Sequence, residues 1–529
     1  MLFLDKQMNF GCGKIAFVMA AILALGFGWV CMVLAKRLRW VDRPGHRKSQ
    51  KRSVPYLGGL ALFLALGTTL FVLYQVGYFV AEPGFSIPSL LACLSPALAA
   101  CGLGLWDDIY EMPARYKFAF QGLIALGFSQ FAYRFSVFHI PGFSPLILDP
   151  EVAVLVTTFF MVAVVNGFNM IDGSDALCLG SSTVTLALVS AVAELDGQPQ
   201  FAILGLATCG ACLGLLYWNR PPARIYIGDA GSLGLGFLVA GLVVALGAGA
   251  PGHFLLGPKG LPREAFAYQI VVASLLVGIP ALEVLLTVAR RGLQGRSLGR
   301  GDQGHLHHRL AQRGWRPASI AGGAMGVNLL CGSIALAFLS GEKGMAVMCA
   351  FMLAILLGLG LQYLDYFRML RSDWLDKRRP HYAVATHFAA MQASKLKLAS
   401  HREEVLALVK QACHEFGAHE CRVSVRDSSD RRWIWKWSEP APAQAGPRVK
   451  DRVRIADTRN HASWTMENDD REPDLNMNLR VIMTEFMRDA LERLVELMAG
   501  QENVVPERDA GKTDTLDLVL SIKGFKNRL

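Results

Sequence analysis

Apolar and polar positions divide the chain unevenly. Up to about Arg368, long apolar runs alternate with short polar connections, and beyond it charged and apolar residues are mixed. A helix needs about 20 largely apolar residues to cross a hydrocarbon core. Eleven runs approach that length: 15–35, 57–80, 88–106, 118–138, 151–168, 176–193, 200–217, 231–250, 266–289, 319–340 and 345–366. The fourth and fifth are the weakest, because Tyr133 and Arg134 interrupt one and Asn166 ends the other. The expected fold class is an all-α polytopic membrane protein of about eleven transmembrane helices over residues 1–370, with a C-terminal soluble α+β domain over 380–529.

In the C-terminal part the period changes. Leu396, Leu398, Val405, Leu406, Leu408 and Val409 predict a helix over Ser394–Phe416. Alternation in Cys421–Arg426 and Arg432–Trp437 predicts two half-buried strands, with further strands at Val453–Ile455 and Ala462–Met466. Pro440–Gly446 reads as a loop, Leu479–Met498 as a closing helix, and the tail past Gln501 as partly disordered. This outline resembles a small sensory module of the GAF type; the competing reading is a structural or oligomerising appendage.

Composition sharpens the split. The 529 residues are 53% hydrophobic and 18% charged, between a soluble enzyme and a pure membrane bundle. The net charge of +10 follows largely from topology. Lys36, Arg37, Arg39, Arg43, Arg47, Lys48, Lys51 and Arg52 crowd the first connection, and Arg290, Arg291, Arg296, Arg300, Arg309, Arg313 and Arg316 crowd the one before the tenth run. The alternate connections hold only Lys259, Arg263 and Lys343. The positive-inside bias puts the N-terminus outside and the basic connections and C-terminal domain in the cytoplasm. A nucleic-acid partner is not needed to explain the charge. The eleven cysteines are scattered, and Cys209-x-x-Cys212 sits inside an apolar run with no second pair. The first run is too long for a cleavable signal and is followed by a basic stop.

Four polar clusters interrupt the apolar runs on the basic side. Trp106–Lys117 places Asp107 and Asp108 at a helix's C-terminal end, where the dipole disfavours anions, so a compensating cation is expected. In Asn166–Asp175, spacings of three put Asn169, Asp172 and Asp175 along one side of a helix. Asp229 and Ser232 open the eighth run, either as simple N-caps or as a carboxylate and backbone N–H groups for phosphate and metal. Arg300–Leu310 crowds His305, His307 and His308 between two arginines. Zinc is the first alternative there, but no cysteine lies nearby and the surrounding carboxylates are hard ligands. Val41–Gly59, with Lys48, reads as an anchor on lipid headgroups or a clamp for a phosphorylated ligand.

Together these residues resemble the polyprenyl-phosphate N-acetylhexosamine-1-phosphate transferases, the MraY- and WecA-like membrane enzymes. Five motifs over residues 15–366 carry the resemblance, in the family's order: VDRPGHRK…VPYLGG, DDIYEMPARYKF, NGFNMIDGSDAL, GDAGSLGLG and HLHHRL. The histidine loop with Arg290-Arg291 is closer to the WecA-like branch. Ala176 stands where the family usually has Gly, Ser49-Gln50 where His commonly follows Arg-Lys, and Glu111 where Asp is frequent.

The resemblance implies transfer of N-acetylhexosamine-1-phosphate from a UDP-sugar to a polyprenyl phosphate such as undecaprenyl phosphate, releasing UMP. That step would initiate a cell-envelope polysaccharide at the bacterial inner membrane. It implies Mg²⁺, with Mn²⁺ as a substitute, held by Asp229 with Asp108 in support. Asp107 would activate the lipid phosphate. Asn169, Asp172 and Asp175 would line the nucleotide site, and His305, His307, His308 and Arg309 would hold the diphosphate or sugar. Lys48 and Lys117 would neutralise phosphate. The partners implied are these substrates and the lipid bilayer; a homodimer is compatible with them. The rival class is a transporter or sensor, whose ionisable clusters would sit near the bilayer midplane instead of converging at one face.

Overall fold

The computed structural model describes residues 2–42, 53–110, 112–138, 146–248, 269–294, 304–340, 342–364, 366, 387–389, 391–415, 418–426, 432–438, 448–456, 461–469, 483 and 486–497. It separates into two compact units, one of Met1–Arg43, Lys51–Arg290 and Ser297–Phe367, the other of Pro44–Gln50, Arg291–Arg296 and Arg368–Leu529.

The first unit is helical: α1 Leu2–Leu38, α2 Gly58–Gln75, α3 Tyr78–Ala81, α4 Ile87–Tyr110, α5 Ala114–Phe131, α6 Pro150–Ile171, α7 Leu177–Leu195, α8 Pro199–Asn219, α9 Gly228–Ala248, α10 Gln269–Val277, α11 Ile279–Gln294, α12 Leu306–Gln312, α13 Pro317–Leu339 and α14 Lys343–Tyr363. Two short antiparallel pairs, β1 Val41–Asp42 with β2 Val54–Pro55 and β3 Val137–Phe138 with β4 Leu146–Ile147, tie connections at the helix ends. Proline opens α6, α8 and α13, where its missing N–H costs nothing.

Every expected apolar run contains a helix. Among the described residues, nine helices are long and apolar enough to cross a membrane, and α10 with α11, bent by 100° at their break, have the length and composition of a broken span or a re-entrant pair. The fourth run falls short because α5 opens with Arg115, Lys117 and Gln121 and stops at Phe131, seven residues before the expected end. The chain is a multi-pass membrane protein.

The bundle is organised around α9, which packs against α4, α6 and α2. In an 18-residue window of Gly228–Gly247, 94% of the residues are buried, which makes α9 the central helix; in the corresponding window of the last span, α14, 11% are. Glycine permits the close approaches at its start. A Cβ on Gly59 would overlap the Gly231 backbone, and one on Gly104 would overlap the Asp229 carbonyl. The Gly58 and Gly59 N–H groups donate to the carbonyls of Tyr226 (3.0 Å) and Ile227 (2.9 Å), and the Tyr226 N–H donates to Pro55 (2.8 Å). These bonds fix the segment before Asp229 in the manner of an added strand.

The turn after α6 departs from expectation. Asp172 is the C-cap of α6, and Asp175 lies beyond the helix in the turn. Ala176 takes the left-handed conformation, with φ of 64°, and its N–H donates to Asn219 Oδ1 at 2.9 Å. The sharp reversal ends the helical register before the third member of the expected row. Glu111, Lys48 and the loop before Gly304 lie outside the described residues.

The second unit has its own core. Helix α15, Arg402–Glu415, and a helix over 486–497 pack on the antiparallel sheet of β5 Ala418–Arg426, β6 Arg432–Ser438, β7 Arg448–Ala456 and β8 His461–Asp469, in the order β6-β5-β8-β7. The expected helix over Ser394–Phe416 is interrupted. The Ser400 N–H donates to Glu404 Oε2 at 2.8 Å and Arg493 donates to the Ala399 carbonyl, so α15 begins afresh at Arg402. The loop Pro440–Gly446 and the tail past Gln501 lie outside the described residues.

Candidate active site

Asp229 is the centre on which three of the expected clusters converge. It lies in the first turn of α9. Lys117, near the start of α5, donates to Asp229 Oδ2 and pairs with Asp107 Oδ2 at 2.6 Å. Asn169, in the last turn of α6, donates to Asp229 Oδ1 (2.6 Å) and to Ser232 Oγ (3.1 Å). Asp107 also accepts the Met112 N–H at 2.5 Å.

Asp108 has a different task. Its Oδ1 accepts the Asp229 N–H (2.9 Å) and its Oδ2 the Ala230 N–H (3.0 Å), so it caps α9 from another helix. The cost of a carboxylate at the C-terminal end of α4 is thus offset at the N-terminal end of α9, where two otherwise orphaned donors and the helix dipole welcome it. Gly228 takes a φ of +66°, and a Cβ there would lie 2.5 Å from Asp108 Oδ2. The expectation of a compensating cation is met for Asp107 by Lys117.

The turn after α6 faces this centre. Asp172 is partly buried and makes no hydrogen bond among the described residues. Lost hydration, and then the charges of Asp229, Asp108 and Asp175, push its carboxyl well above the usual range. Asp175 is raised by lost hydration and opposed by the Ala223 N–H, which donates to its Oδ2 at 3.0 Å. Asp175 is therefore tied to the segment that follows α8. Asn166 sits back from the site, donating to Gln121 Oε1 (2.7 Å) and the Val162 carbonyl (2.8 Å).

The histidines join through one contact. A Cβ on Gly173 would lie 2.5 Å from His307 Nε2, so the α6–α7 turn abuts that ring. The rings of His305 and His307 stack with centroids 5.8 Å apart, and His307 and His308 lie 4.1 Å apart. His307 is 4% exposed, and among the described residues neither ring nitrogen has a hydrogen-bond partner. Burial, reinforced by the adjacent His308 and His305, lowers it to about 3, so the ring is neutral at physiological pH. Glu283, on α11, meets His305 Nδ1 at 2.8 Å and accepts the Leu306 N–H at 3.1 Å. Arg309 donates to the carbonyls of Leu364 (2.9 Å) and Gly304 (3.3 Å) and lies over the Tyr366 ring. Arg290 also donates to Gly304 and to Tyr366 Oη. Both arginines thereby fasten the histidine segment to the end of α14.

Three residues of this frame were not singled out as site residues by the sequence. Asn219 joins the Ala176 N–H to the Ile225 carbonyl, which its Nδ2 reaches at 2.9 Å. Its signal was a lone amide closing an apolar run just before Pro221-Pro222. Glu283 was legible as a carboxylate inside an apolar run, but its partner lies 22 positions away. Tyr366 carried no signal.

A hard dication fits this donor set in a limited way. Among the described residues, no three His, Cys, Asp or Glu side chains gather as a metal site. Asp107 and Asp229 nevertheless share one ammonium, Lys117, which stands where positive charge is required. Two carboxylates suit an ion that takes the rest of its shell from water and substrate phosphate. The clusters occupy helix ends on one side, α4, α6 and α9 among them, and not the middle of a span as in a midplane transport site.

The chain is similar to known proteins. Residues 90–247 match the family described as glycosyl transferase family 4. A Mycobacterium leprae decaprenyl-phosphate N-acetylglucosaminephosphotransferase is 33% identical over 310 residues, covering 56% of this chain and 76% of that relative. A probable undecaprenyl-phosphate N-acetylglucosaminyl 1-phosphate transferase of Bacillus subtilis (strain 168) is 26% identical over 296 residues, 56% of this chain and 76% of the relative. An Escherichia coli (strain K12) undecaprenyl-phosphate alpha-N-acetylglucosaminyl 1-phosphate transferase is 26% identical over 288 residues, 53% and 72%.

Proposed function

The chain belongs to the polyprenyl-phosphate N-acetylhexosamine-1-phosphate transferases of glycosyl transferase family 4, and from that premise we propose that its donor is a UDP-N-acetylhexosamine and its acceptor undecaprenyl phosphate. It transfers a sugar-1-phosphate to a polyprenyl phosphate. With this donor UMP is released, and the product begins a cell-envelope polysaccharide. Relatives named for N-acetylglucosamine favour that sugar as donor. The site, by the positive-inside bias, faces the cytoplasm of the inner membrane.

The observation that carries the reading is the convergence of Asp107, Lys117, Asn169 and Asp229 within single hydrogen bonds of one another, with the His307 ring against the adjoining turn. Transfer between two phosphates asks for charge neutralisation and alignment more than covalent chemistry. Lys117 neutralises an incoming phosphate when it exchanges a carboxylate for it. Asn169 holds Asp229 in one orientation and leaves Asp229 Oδ2 toward Lys117. Asp107, 10% exposed in its side chain, is placed to receive the lipid phosphate and orient its oxygen for in-line attack. Asp172, whose carboxylate makes no hydrogen bond among the described residues, faces the donor nucleotide, with Asp175 setting the turn that carries it. The neutral ring of His307, flanked by His305 and His308, offers its N–H to the diphosphate or sugar. Mg²⁺, when bound at Asp229 and the adjoining carboxylates, would supply further charge on the diphosphate. Direct attack is preferred to an aspartyl-phosphate route, since the lipid phosphate is itself an anionic nucleophile.

Purified protein should release UMP from a UDP-N-acetylhexosamine only with undecaprenyl phosphate and Mg²⁺ present. Asp229→Asn and Asp107→Asn should each lower turnover by about a hundredfold or more. Near-normal turnover in either would overturn the assignment, and a screen of UDP-GlcNAc against UDP-GalNAc decides the sugar.

A further inference from the structure

Tyr366 lies beyond the end of α14 at Tyr363, yet it is only 8% exposed. A buried phenol must find a place for its hydroxyl as well as its ring. The Tyr366 N–H donates to the Leu361 carbonyl at 2.9 Å, which holds the residue against the last turn of α14. Burial, opposed by the Arg290 and Arg309 guanidinium groups, raises the phenol above its ordinary value, so the hydroxyl keeps its proton. It donates to the Gly304 carbonyl at 3.4 Å and accepts from Arg290 Nη1 at 3.1 Å.

That carbonyl is where three elements meet. Arg290 of α11 donates to it, Arg309 of α12 donates to it at 3.3 Å, and Tyr366 brings in the end of α14. A carbonyl oxygen has two lone pairs, so three donors fill it. Arg309 also lies over the Tyr366 ring, 4.6 Å from its centroid, and donates to the Leu364 carbonyl at 2.9 Å. Gly304 leaves room for this meeting: a Cβ there would lie 2.7 Å from the Arg290 guanidinium carbon and push it aside.

The next residue is His305, the N-cap of α12. Its two flanking peptides are held from opposite sides. The one before it is gripped through the Gly304 carbonyl, and the one after it by Glu283, which accepts the Leu306 N–H at 3.1 Å. Glu283 also meets His305 Nδ1 at 2.8 Å, which leaves Nε2 as the ring atom placed for substrate. If Tyr366 only had to close α14, an apolar ring would serve, with no buried hydroxyl to satisfy.

We propose that Tyr366 is a positioning residue for the transfer: through the Gly304 carbonyl it sets the backbone of His305, and with it the row of histidine rings against the donor. This rests on the reading above, in which the histidines meet the diphosphate or sugar.

Tyr366→Phe keeps the ring under Arg309 and removes only the hydroxyl. Calorimetric titration of the full chain in detergent would use UMP and whichever of UDP-GlcNAc and UDP-GalNAc the unaltered protein turns over. Affinity for the UDP-sugar should fall about tenfold in the variant, while that for UMP, which lacks the second phosphate and the sugar, should stay within about twofold. In a His305→Ala background the same change should cost less than about twofold, because a residue acting through His305 has nothing left to position. Should Tyr366→Phe melt well below the unaltered protein, Gly304→Ala, which displaces Arg290 from the same carbonyl, must show the same split between the two ligands. Equal losses for both ligands, an undiminished loss in the His305→Ala background, or no loss at all overturns the proposal and leaves Tyr366 a packing residue. An unaltered protein that neither binds nor turns over a UDP-sugar would instead sink the transferase reading itself.

Discussion

Ala176 is the residue whose backbone is least at ease beside the site. Its φ of 64° belongs to the left-handed region, which costs an L-residue about 1–2 kcal/mol. The strain persists because Asn219 fixes the Ala176 N–H and Asp175 fixes the Ala223 N–H. Ala176→Gly should therefore raise thermal stability by about 0.5–1 kcal/mol, after the entropy glycine loses on folding is subtracted. A lower melting temperature in detergent would show that the conformation is not strained in the folded enzyme. His307 gives a pH prediction at the same scale. Its folded value of about 3 lies below the ordinary 6.5, so between those limits the unfolded chain binds the extra proton. Stability then rises with pH across that window and falls as pH drops below about 6.5. His307→Gln should flatten that part of the stability profile, and an unchanged acid slope would remove His307 as its source. Neither residue's environment was legible in the sequence. A left-handed alanine and a buried histidine are products of tertiary packing, and the motif spells only the residue types.

The break between α10 and α11 shows how one buried amide can hold an element. At Gly278, with φ of +61°, the chain turns by 100°, and a Cβ there would overlap Asn328 Oδ1. Asn328 is fully buried on α13. Its Oδ1 accepts the Ile279 N–H at 2.7 Å, and its amide reaches the Ser181 carbonyl and Thr185 Oγ1 on α7, each at 3.4 Å. An N–H freed by a helix break in an apolar bundle must find a partner, or cost about 1–3 kcal/mol. Asn328→Ala should lower stability by that amount and reduce transfer too, because α11 carries Glu283 to His305. Unaltered melting and activity would mean that water serves the Ile279 N–H instead. Glu283→Gln separates positioning from packing: the amide can still accept the Leu306 N–H but loses its charge on His305. It should cut turnover about tenfold with little change in melting, and equal losses in both would mark Glu283 as structural only. Periodicity placed these helices within a few residues, because a spanning helix must satisfy its backbone internally and be apolar almost throughout. The same uniformity concealed the break at Gly278, the shortness of α5 and the centrality of α9, which depend on neighbours. In the second unit the alternation at Cys421–Arg426 marked a strand, but the interruption of the first helix at Ala399 depends on Arg493, 94 positions away.

At the scale of the whole molecule, the two units differ in what holds them. The first is built around buried α9 with its hydrophobic core spread over the spans, and the second around a separate cluster of Val405, Val409, Cys421, Val423, Phe486 and Leu494. The site residues that converge on Asp229 all come from the first unit. This explains why so much of the site was legible: Asp107, Lys117, Asn169 and Asp229 sit at helix ends, where polar groups interrupt apolar runs visibly. It also explains the expected result of truncation. A chain ending at Phe367 retains every hydrogen bond described around Asp229, and it retains Tyr366, which fastens Gly304 and Arg290. In detergent it should transfer sugar-1-phosphate within about twofold of the full chain, as separate domain cores allow. A loss of turnover in detergent, with melting of the truncated chain unchanged, would instead make the second unit a working part of the transferase.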